Sequence, residues 1–349
     1  MSGEISTSSH LFDVMSTDQG DTTETTGENG VTSESSHRDA MYFGMLVVVI
    51  GVIGTAANGL VLYALVASKQ HKKHELIVNQ NAIDLYTCLF LVIIYGFKLS
   101  NIYLSGSLGY WLCMIIYSES LLYVGIYASW VNLMIISIDR YLKVVHSTWS
   151  KKRLRKWMTY SAIACTWISG FINLMPTVFQ SSAVIDGVCY GFVVWQHLEA
   201  RLAVGIYYFL FTYVLALAIF IFCYGKILMV IRHQARVMAS HSAGGPSNAQ
   251  AQVNHQIQFN VIKTMILVCG FYAFAMLPEK IFTFLLSLGV NITYMNNAYY
   301  YATLFLAFLY ICANPFIYAT KFNPVRRILK GFILCKKADE PVDSGLQMN

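Results

Sequence analysis

The sequence predicts an all-α membrane protein: a seven-transmembrane helix bundle followed by a short amphipathic surface helix after the seventh span. Three observations carry this. Of 349 residues 56% are hydrophobic and only 12% charged, and the mean hydropathy is +0.52, too apolar for ordinary soluble domains. Seven apolar runs, over residues 41–67, 76–100, 111–142, 157–179, 202–231, 259–287 and 294–320, are each long enough to cross a hydrocarbon core of roughly 30 Å. The 24 Lys and Arg residues, finally, are gathered almost entirely on one side of those runs.

Residues 1–40 are rich in Ser, Thr, Gly and acids and lack apolar periodicity, which predicts a disordered tail. No apolar signal region precedes the first span, so that span is expected to act as signal anchor. An odd number of spans puts the two termini on opposite sides. Apart from Arg140, inside the third span, only Arg38, Lys98, Arg201 and Lys280 fall on the side of the N-terminus, while clusters such as Lys72-Lys73, Lys151-Lys152-Arg153 and Arg326-Arg327 fall on the other. Lys and Arg mark the cytosolic side. The expectation is a multi-pass plasma-membrane protein with its N-terminus extracellular and its C-terminus cytosolic. The single Asn-X-Ser/Thr sequon, at Asn291, then lies in the last outer loop as a glycan acceptor.

The spans, 41–320, form one domain. Pro176, Pro278 and Pro315 fall inside spans four, six and seven, where each removes a backbone donor and favours a kink. The stretch SHSAGGPSNAQAQ, 240–252, reads as a flexible cytosolic linker. After span seven, residues 321–335 place Val325, Ile328, Leu329 and Phe332 on one helical face with Arg326, Arg327 and Lys330 opposite, the pattern of a helix lying on a membrane. Residues 336–349 remain as a cytosolic tail. The sequence has no internal repeat of the kind that builds transporters. It has no phosphate loop, no metal-ligand spacing and no nucleophile motif, so neither an enzyme nor a metal centre is expected. The basic loops flank membrane spans and suit orientation and anionic lipid rather than nucleic acid.

Polar groups at membrane depth are costly and therefore informative. Asn58, Asp84, Ser129 and Asn314 come from four different spans, and all lie roughly 10–16 Å above the cytosolic face at 1.5 Å per residue. They can satisfy one another only inside one bundle. Asp84, the one carboxylate among them, needs a partner, a proton, water or a cation. A structural hydrogen-bond cluster and a water or Na⁺ pocket both remain open.

In chain order the spans carry Gly54-Thr55-Ala56-Ala57-Asn58, Asn79-Gln80-Asn81-Ala82-Ile83-Asp84, Asp139-Arg140-Tyr141, Trp167 and Asn314-Pro315-Phe316-Ile317-Tyr318. Over residues 41–335 the chain resembles a rhodopsin-like (class A) G-protein-coupled receptor. The resemblance implies that Arg140 is held by Asp139 at rest. On activation Arg140 would turn inward, with Tyr224 and Tyr318, to meet the α-subunit of a heterotrimeric G protein; motion at Pro278 would open the cavity. Tyr141, Asn314 and Pro315 belong to the same activation motifs. It implies an ion and water site at Asn58, Asp84, Ser129 and Asn314, a disulfide between Cys113 and Cys189, and a palmitoylation candidate in Cys335. Cysteine placement agrees, since only Cys113 and Cys189 reach the oxidising side.

Several positions depart from the family pattern. Met276 stands where a Trp is usual, and Ala216 where the fifth span usually has Pro. Gln258 replaces the acid that commonly faces Arg140, so appreciable ligand-independent signalling is expected. Tyr310 stands where a small polar residue would complete a sodium site, which weakens an Na⁺ assignment at Asp84; no other cofactor is implied. Cys113 lies two residues further from Arg140 than the family spacing, so the outer end of the third helix should be wound differently. Phosphates for arrestin binding would fall on Ser240, Ser242 and Ser247 rather than on the tail, where Ser344 stands alone.

The outer halves of the spans supply the ligand site: Lys98, Glu119, Leu122, Tyr123, Tyr208, Met276, Glu279, Lys280 and Tyr301. A Glu119–Lys280 ion pair is the structural alternative to a ligand-binding role for these charges, and the surplus acid favours a cationic ligand or a basic peptide side chain. Leu122 occupies the place of the amine-binding Asp of this family, which counts against a biogenic amine, and Phe308 the place of a retinal-binding Lys. A peptide, in particular a neuropeptide, is the preferred ligand, with a small cation as the alternative. An ion-translocating or structural seven-helix protein is the alternative of another class, but it should show a relay of acids, and only Asp84 lies in the inner half.

Overall fold

The computed structural model describes residues 28–69, 71, 74–100, 102–181, 183–190, 198–240, 246–290, 298–321, 326 and 328. Side chains are described for most of these, with 28–37, 174–181, 238–240 and 246–258 the main exceptions. Met1–Ala40 and Met41–Asn349 are separate units, and the helix bundle belongs to the second.

Seven long helices follow one another: α1 Glu28–Ala67, α2 Glu75–Leu99, α3 Gly106–Val145, α4 Lys156–Ser181, α5 Leu198–Ser240, α6 Pro246–Ser287 and α7 Ala298–Lys321. A short helix, Ser147–Arg153, links α3 to α4. Between α4 and α5, strands β1 Ala183–Ile185 and β2 Val188–Tyr190 pair antiparallel, Val184 opposite Cys189. Their turn needs Gly187, at φ +77°, because a Cβ there would lie 2.0 Å from the Tyr103 ring.

Each of the seven expected spans is found as a helix. The helices overrun the apolar runs where nothing in the sequence stops them. α1 begins at Glu28, inside the stretch expected to be disordered, and α6 begins at Pro246, inside the expected linker. A membrane helix is already nucleated, so adding residues needs only propagation. Pro246 suits a first helical position, and Ala249, Gln250, Ala251 and Gln252 are good helix formers.

Two helices are interrupted. α3 contains a π-helical turn, Cys113–Tyr117, and resumes at Ser120 after Glu119, whose φ is +59°. The interruption lies in the outer part of α3, between Cys113 and Arg140. α5 contains a π-helical stretch, Tyr208–Val214, just before Ala216, so the missing proline does not leave that helix regular. Pro278 and Pro315 lie inside α6 and α7; Pro176 lies in α4 beyond the described side chains.

The core runs along the bundle through Leu122, Leu133, Ile136, Tyr310 and Tyr318, all fully buried. Outside, Val52, Ile172, Ile221 and Phe274 are 53–74% exposed. An apolar surface of this kind is stable only against lipid. Of the expected surface helix, the described residues are Arg326, exposed, and Ile328, half-buried against the core. Asn291, Cys335, Ser242 and Ser344, and the side chains of Gln258, Ser240 and Ser247, lie outside the described residues.

Candidate functional site

At the inner end of α3 the side chain of Arg140 is 14% exposed. Its Nε lies 3.8 Å from Asp139 Oδ2 and its Nη2 lies 3.4 Å from His74 Nδ1. Asp139 is engaged more closely by Lys143, whose Nζ is 2.8 Å from Oδ1 and 2.9 Å from Oδ2. Residues four apart stack on one helix face, whereas adjacent ones diverge. The Asp139 restraint on Arg140 is therefore the longer and weaker of the two contacts. Arg140 Nε is buried without a hydrogen-bond acceptor among the described residues.

Tyr224 of α5 is buried and accepts a hydrogen bond from Ser137 Oγ at 3.2 Å, with Cys269 Sγ of α6 at 3.8 Å. Tyr318 is buried with its hydroxyl unpartnered among the described residues. Tyr141 packs on Phe222, and its hydroxyl lies 3.1 Å from His146 Nε2. None of the three tyrosines hydrogen-bonds Arg140 among the described contacts. Higher in the bundle two tyrosines join α5 to α6 reciprocally: Tyr213 donates to Ala273 O at 2.8 Å and Tyr272 to Thr212 O at 2.7 Å.

At mid-depth the expected polar cluster is present and larger than expected. Asn314 Nδ2 donates to Asp84 Oδ2 at 2.9 Å, and Ser129 Oγ to Asp84 Oδ1 at 3.2 Å. Gln80 joins them, its Nε2 donating to Asp84 Oδ1 at 3.0 Å and to Ser129 Oγ at 2.6 Å. Its carbonyl accepts from Asn132 Nδ2 at 2.8 Å; Asn132 Oδ1 accepts from Asn79, and Asn79 Oδ1 from Trp167 Nε1. One chain of hydrogen bonds thus runs from α4 through α2 and α3 to α7.

Asn58 does not belong to it. Its amide donates to Gly54 O at 3.0 Å and approaches Cys88 Sγ at 3.6 Å. There α1, α2 and α7 come together closely: a Cβ on Gly54 would lie 2.7 Å from Cys88 Sγ and 2.8 Å from Cys312 Sγ. The Asn58 amide hydrogens go to Gly54 O and toward Cys88 Sγ rather than to Asp84. Gln80 and Asn132 carried a usable signal, one helical turn from Asp84 and Ser129 on the same faces.

At the outer end Glu119 pairs with Lys98 of α2, not with Lys280. Lys98 also sits 5.1 Å over the Tyr95 ring. Lys280 Nζ instead meets its neighbour Glu279 Oε2 at 3.1 Å, and Thr283 donates to Glu279 Oε1. The break in α3 explains the exchange. At Glu119 the chain enters the left-handed region, which costs an ordinary residue about 1–2 kcal/mol, and the side chain turns toward α2. Ser118 and Ser120 stabilise the break by donating to Met114 O at 2.6 and 2.8 Å. Cys113, at its start, is disulfide-bonded to Cys189 of β2, as expected.

Of the aromatic residues, Tyr208 stacks on Tyr127 at 5.6 Å and donates to Asn173 O at 2.9 Å. Tyr123 lies 6.4 Å from the same ring. Tyr301 packs on Phe43 at 4.8 Å. Leu122 and Met276 are buried. Among the described residues no group of His, Cys, Asp and Glu is arranged to hold a metal.

The seven helices, the inner Arg140 and the disulfide-tied third helix define a class: multi-pass membrane receptors. Comparison with known proteins makes it specific. The family description "7 transmembrane receptor (rhodopsin family)" matches residues 57–318, so the chain belongs to the rhodopsin family of seven-transmembrane receptors, signalling receptors rather than enzymes. Relatives include the C-C chemokine receptor type 8 of Macaca mulatta, 25% identical over 80% of this chain and 76% of that one. The allatostatin-A receptor of Bombyx mori is 24% identical over 80% and 74%, and the human galanin receptor type 1 is 24% identical over 83% and 80%. Squid rhodopsin has the same fold, with a TM-score of 0.69 at 16% identity over 87% of this chain and 89% of that one.

Proposed function

We propose that this receptor binds an extracellular peptide in the outer half of the bundle and activates heterotrimeric G proteins through its inner end. The observation that carries the ligand class is the pair of ion pairs, Lys98–Glu119 and Lys280–Glu279, set among tyrosines and with Leu122 buried between helices. Two separated pairs offer both signs of charge at two places, which suits a peptide end with its own amino group and side chains. A small amine would need one carboxylate at Leu122. The relatives named for chemokine, allatostatin-A and galanin, all polypeptide messengers, favour the same reading. The Lys and Arg distribution supports an extracellular N-terminus and a cytosolic Arg140 end, with anionic lipid and arrestin as further cytosolic partners.

A sodium ion at Asp84 fits this receptor poorly. Of about four acceptor sites on a carboxylate, three already receive Gln80, Ser129 and Asn314. The Tyr310 hydroxyl lies against Asn314 and Ser129, and among the described residues Asn314 Oδ1 is buried without a partner, a group that water satisfies.

The test is a screen of peptide and amine libraries on cells expressing the chain with a promiscuous Gα subunit. A peptide hit should lose potency with Glu119→Gln, Lys98→Ala or Lys280→Ala at unchanged surface expression. An amine hit that all three variants leave intact would overturn the proposal.

A further inference from the structure

A cavity of about 190 Å³ opens beside Arg140, lined among others by His74, Arg140, Lys143, Arg155, Lys156 and Thr159. Two acids share its wall, and both are engaged: Asp139 by Lys143 and Arg140, and Glu75 by the Tyr160 hydroxyl at 3.2 Å. Arg140, Lys143, Arg155 and Lys156 against Asp139 and Glu75 leave two uncompensated positive charges. Among the described residues Arg155 and Lys156 have no acidic partner at ion-pair distance.

The backbone adds to this field. α2 and α4 both begin at the cavity, at Glu75 and at Lys156. The N-cap of α2, His74, makes no side-chain capping bond. A helix N-terminus favours an anion, and Glu75 supplies one at the start of α2, while the first turn of α4 carries no acid.

We propose that this cavity is a binding site for a phosphate-monoester group. A monoester carries about −1.5 to −2 charges at pH 7, which matches the two excess positive charges; a phosphodiester carries about half of that. Arg155 and Lys156 capture the group from the mouth, Thr159 donates its hydroxyl, and Arg140 closes the inner wall. The group then engages Arg140 on the side away from the bundle axis, so its binding opposes the inward turn of Arg140. The chemistry is shared by a phosphorylated inositol lipid of the membrane and by a soluble inositol phosphate.

The experiment uses the purified full chain in detergent, where binding depends neither on membrane orientation nor on coupling, so its failure is distinct from failure of the receptor reading. Inositol 1,4,5-trisphosphate is titrated alone, and phosphatidylinositol 4,5-bisphosphate is titrated in mixed micelles beside phosphatidylserine at equal total charge. Both phosphate probes should bind in preference to phosphatidylserine. Arg155→Gln/Lys156→Gln should weaken them roughly tenfold or more, with thermal unfolding in their absence unchanged. Lys151→Gln/Lys152→Gln, equal in charge but outside the cavity, should have little effect. Tighter binding of the lipid than of the soluble headgroup assigns the site to the membrane, and equal binding to a soluble phosphate. Binding of neither probe, equal binding of phosphatidylserine, or equal loss in the two double variants would overturn the proposal.

Discussion

Substituting Gln80 by Leu tests whether the mid-depth chain of hydrogen bonds acts as one unit. Leu fills a similar volume but removes three bonds, to Asp84, to Ser129 and from Asn132. At about 0.6 kcal/mol for a side-chain hydrogen bond between membrane helices the loss is about 2 kcal/mol; at ~1 kcal/mol each it is about 3 kcal/mol. Asn132→Leu also removes three, involving Asn79, Gln80 and Leu76 O. One bond is common to both, so the double variant loses five rather than six. Each single variant also leaves one end of the shared Gln80–Asn132 bond unsatisfied, a different end in each, at about 1–3 kcal/mol, a cost absent from the double variant. Together with the shared bond these two orphaned ends predict a coupling of about 3–7 kcal/mol, with the double variant less damaged than the sum. The assay is thermal unfolding in detergent, followed by a thiol-reactive dye that labels the buried Cys88, Cys223, Cys269 and Cys312 as they open. Asn58→Leu, whose bonds go to Gly54 and Cys88, should be additive with Gln80→Leu. Additivity of the 80 and 132 variants within about 0.5 kcal/mol would refute the reasoning.

Three other outcomes are expected. Lys143→Ala frees both oxygens of Asp139 for Arg140 and should lower basal second-messenger production, while Asp139→Asn should raise it; basal levels in the wild type equal to those of Arg140→Ala would refute both. Gly54→Ala puts a methyl within 2.8 Å of two thiols, and should destabilise by about 1–3 kcal/mol, visible as a fall in the same unfolding midpoint. Replacing Na⁺ by K⁺ at equal ionic strength should leave that midpoint unchanged, whereas a stabilisation specific to Na⁺ would contradict the poor fit of sodium at Asp84.

What was legible in the sequence is what depends on length and polarity. Seven runs of apolar residues can only be helices in a membrane, and Asp84, Ser129 and Asn314 can only be where other polar groups satisfy them. Pairings between helices were less legible, because they depend on rotation about the helix axis. Glu119 is the clearest case: it lies at the left-handed break in α3 and pairs with Lys98 rather than with Lys280. Gln80 was visible but unassigned, since a glutamine one turn from an aspartate reads equally well as a partner and as a bystander. The helical starts at Glu28 and Pro246 were not legible for the opposite reason: the polar composition there carries no helical period.

The break in α3 changes how relatives can be compared with this chain. Two residues correspond to about 200° of rotation at 3.6 residues per turn. An ungapped alignment anchored on Arg140 would therefore assign every side chain above Glu119 to nearly the opposite face of the helix. If Cys113 is offset by two residues from the family spacing, as the sequence implies, the turn closed by Ser118 and Glu119 is the place in α3 that can absorb them. Ligand contacts transferred from another receptor to Met114 or Tyr117 without that offset would land on the wrong side of the pocket.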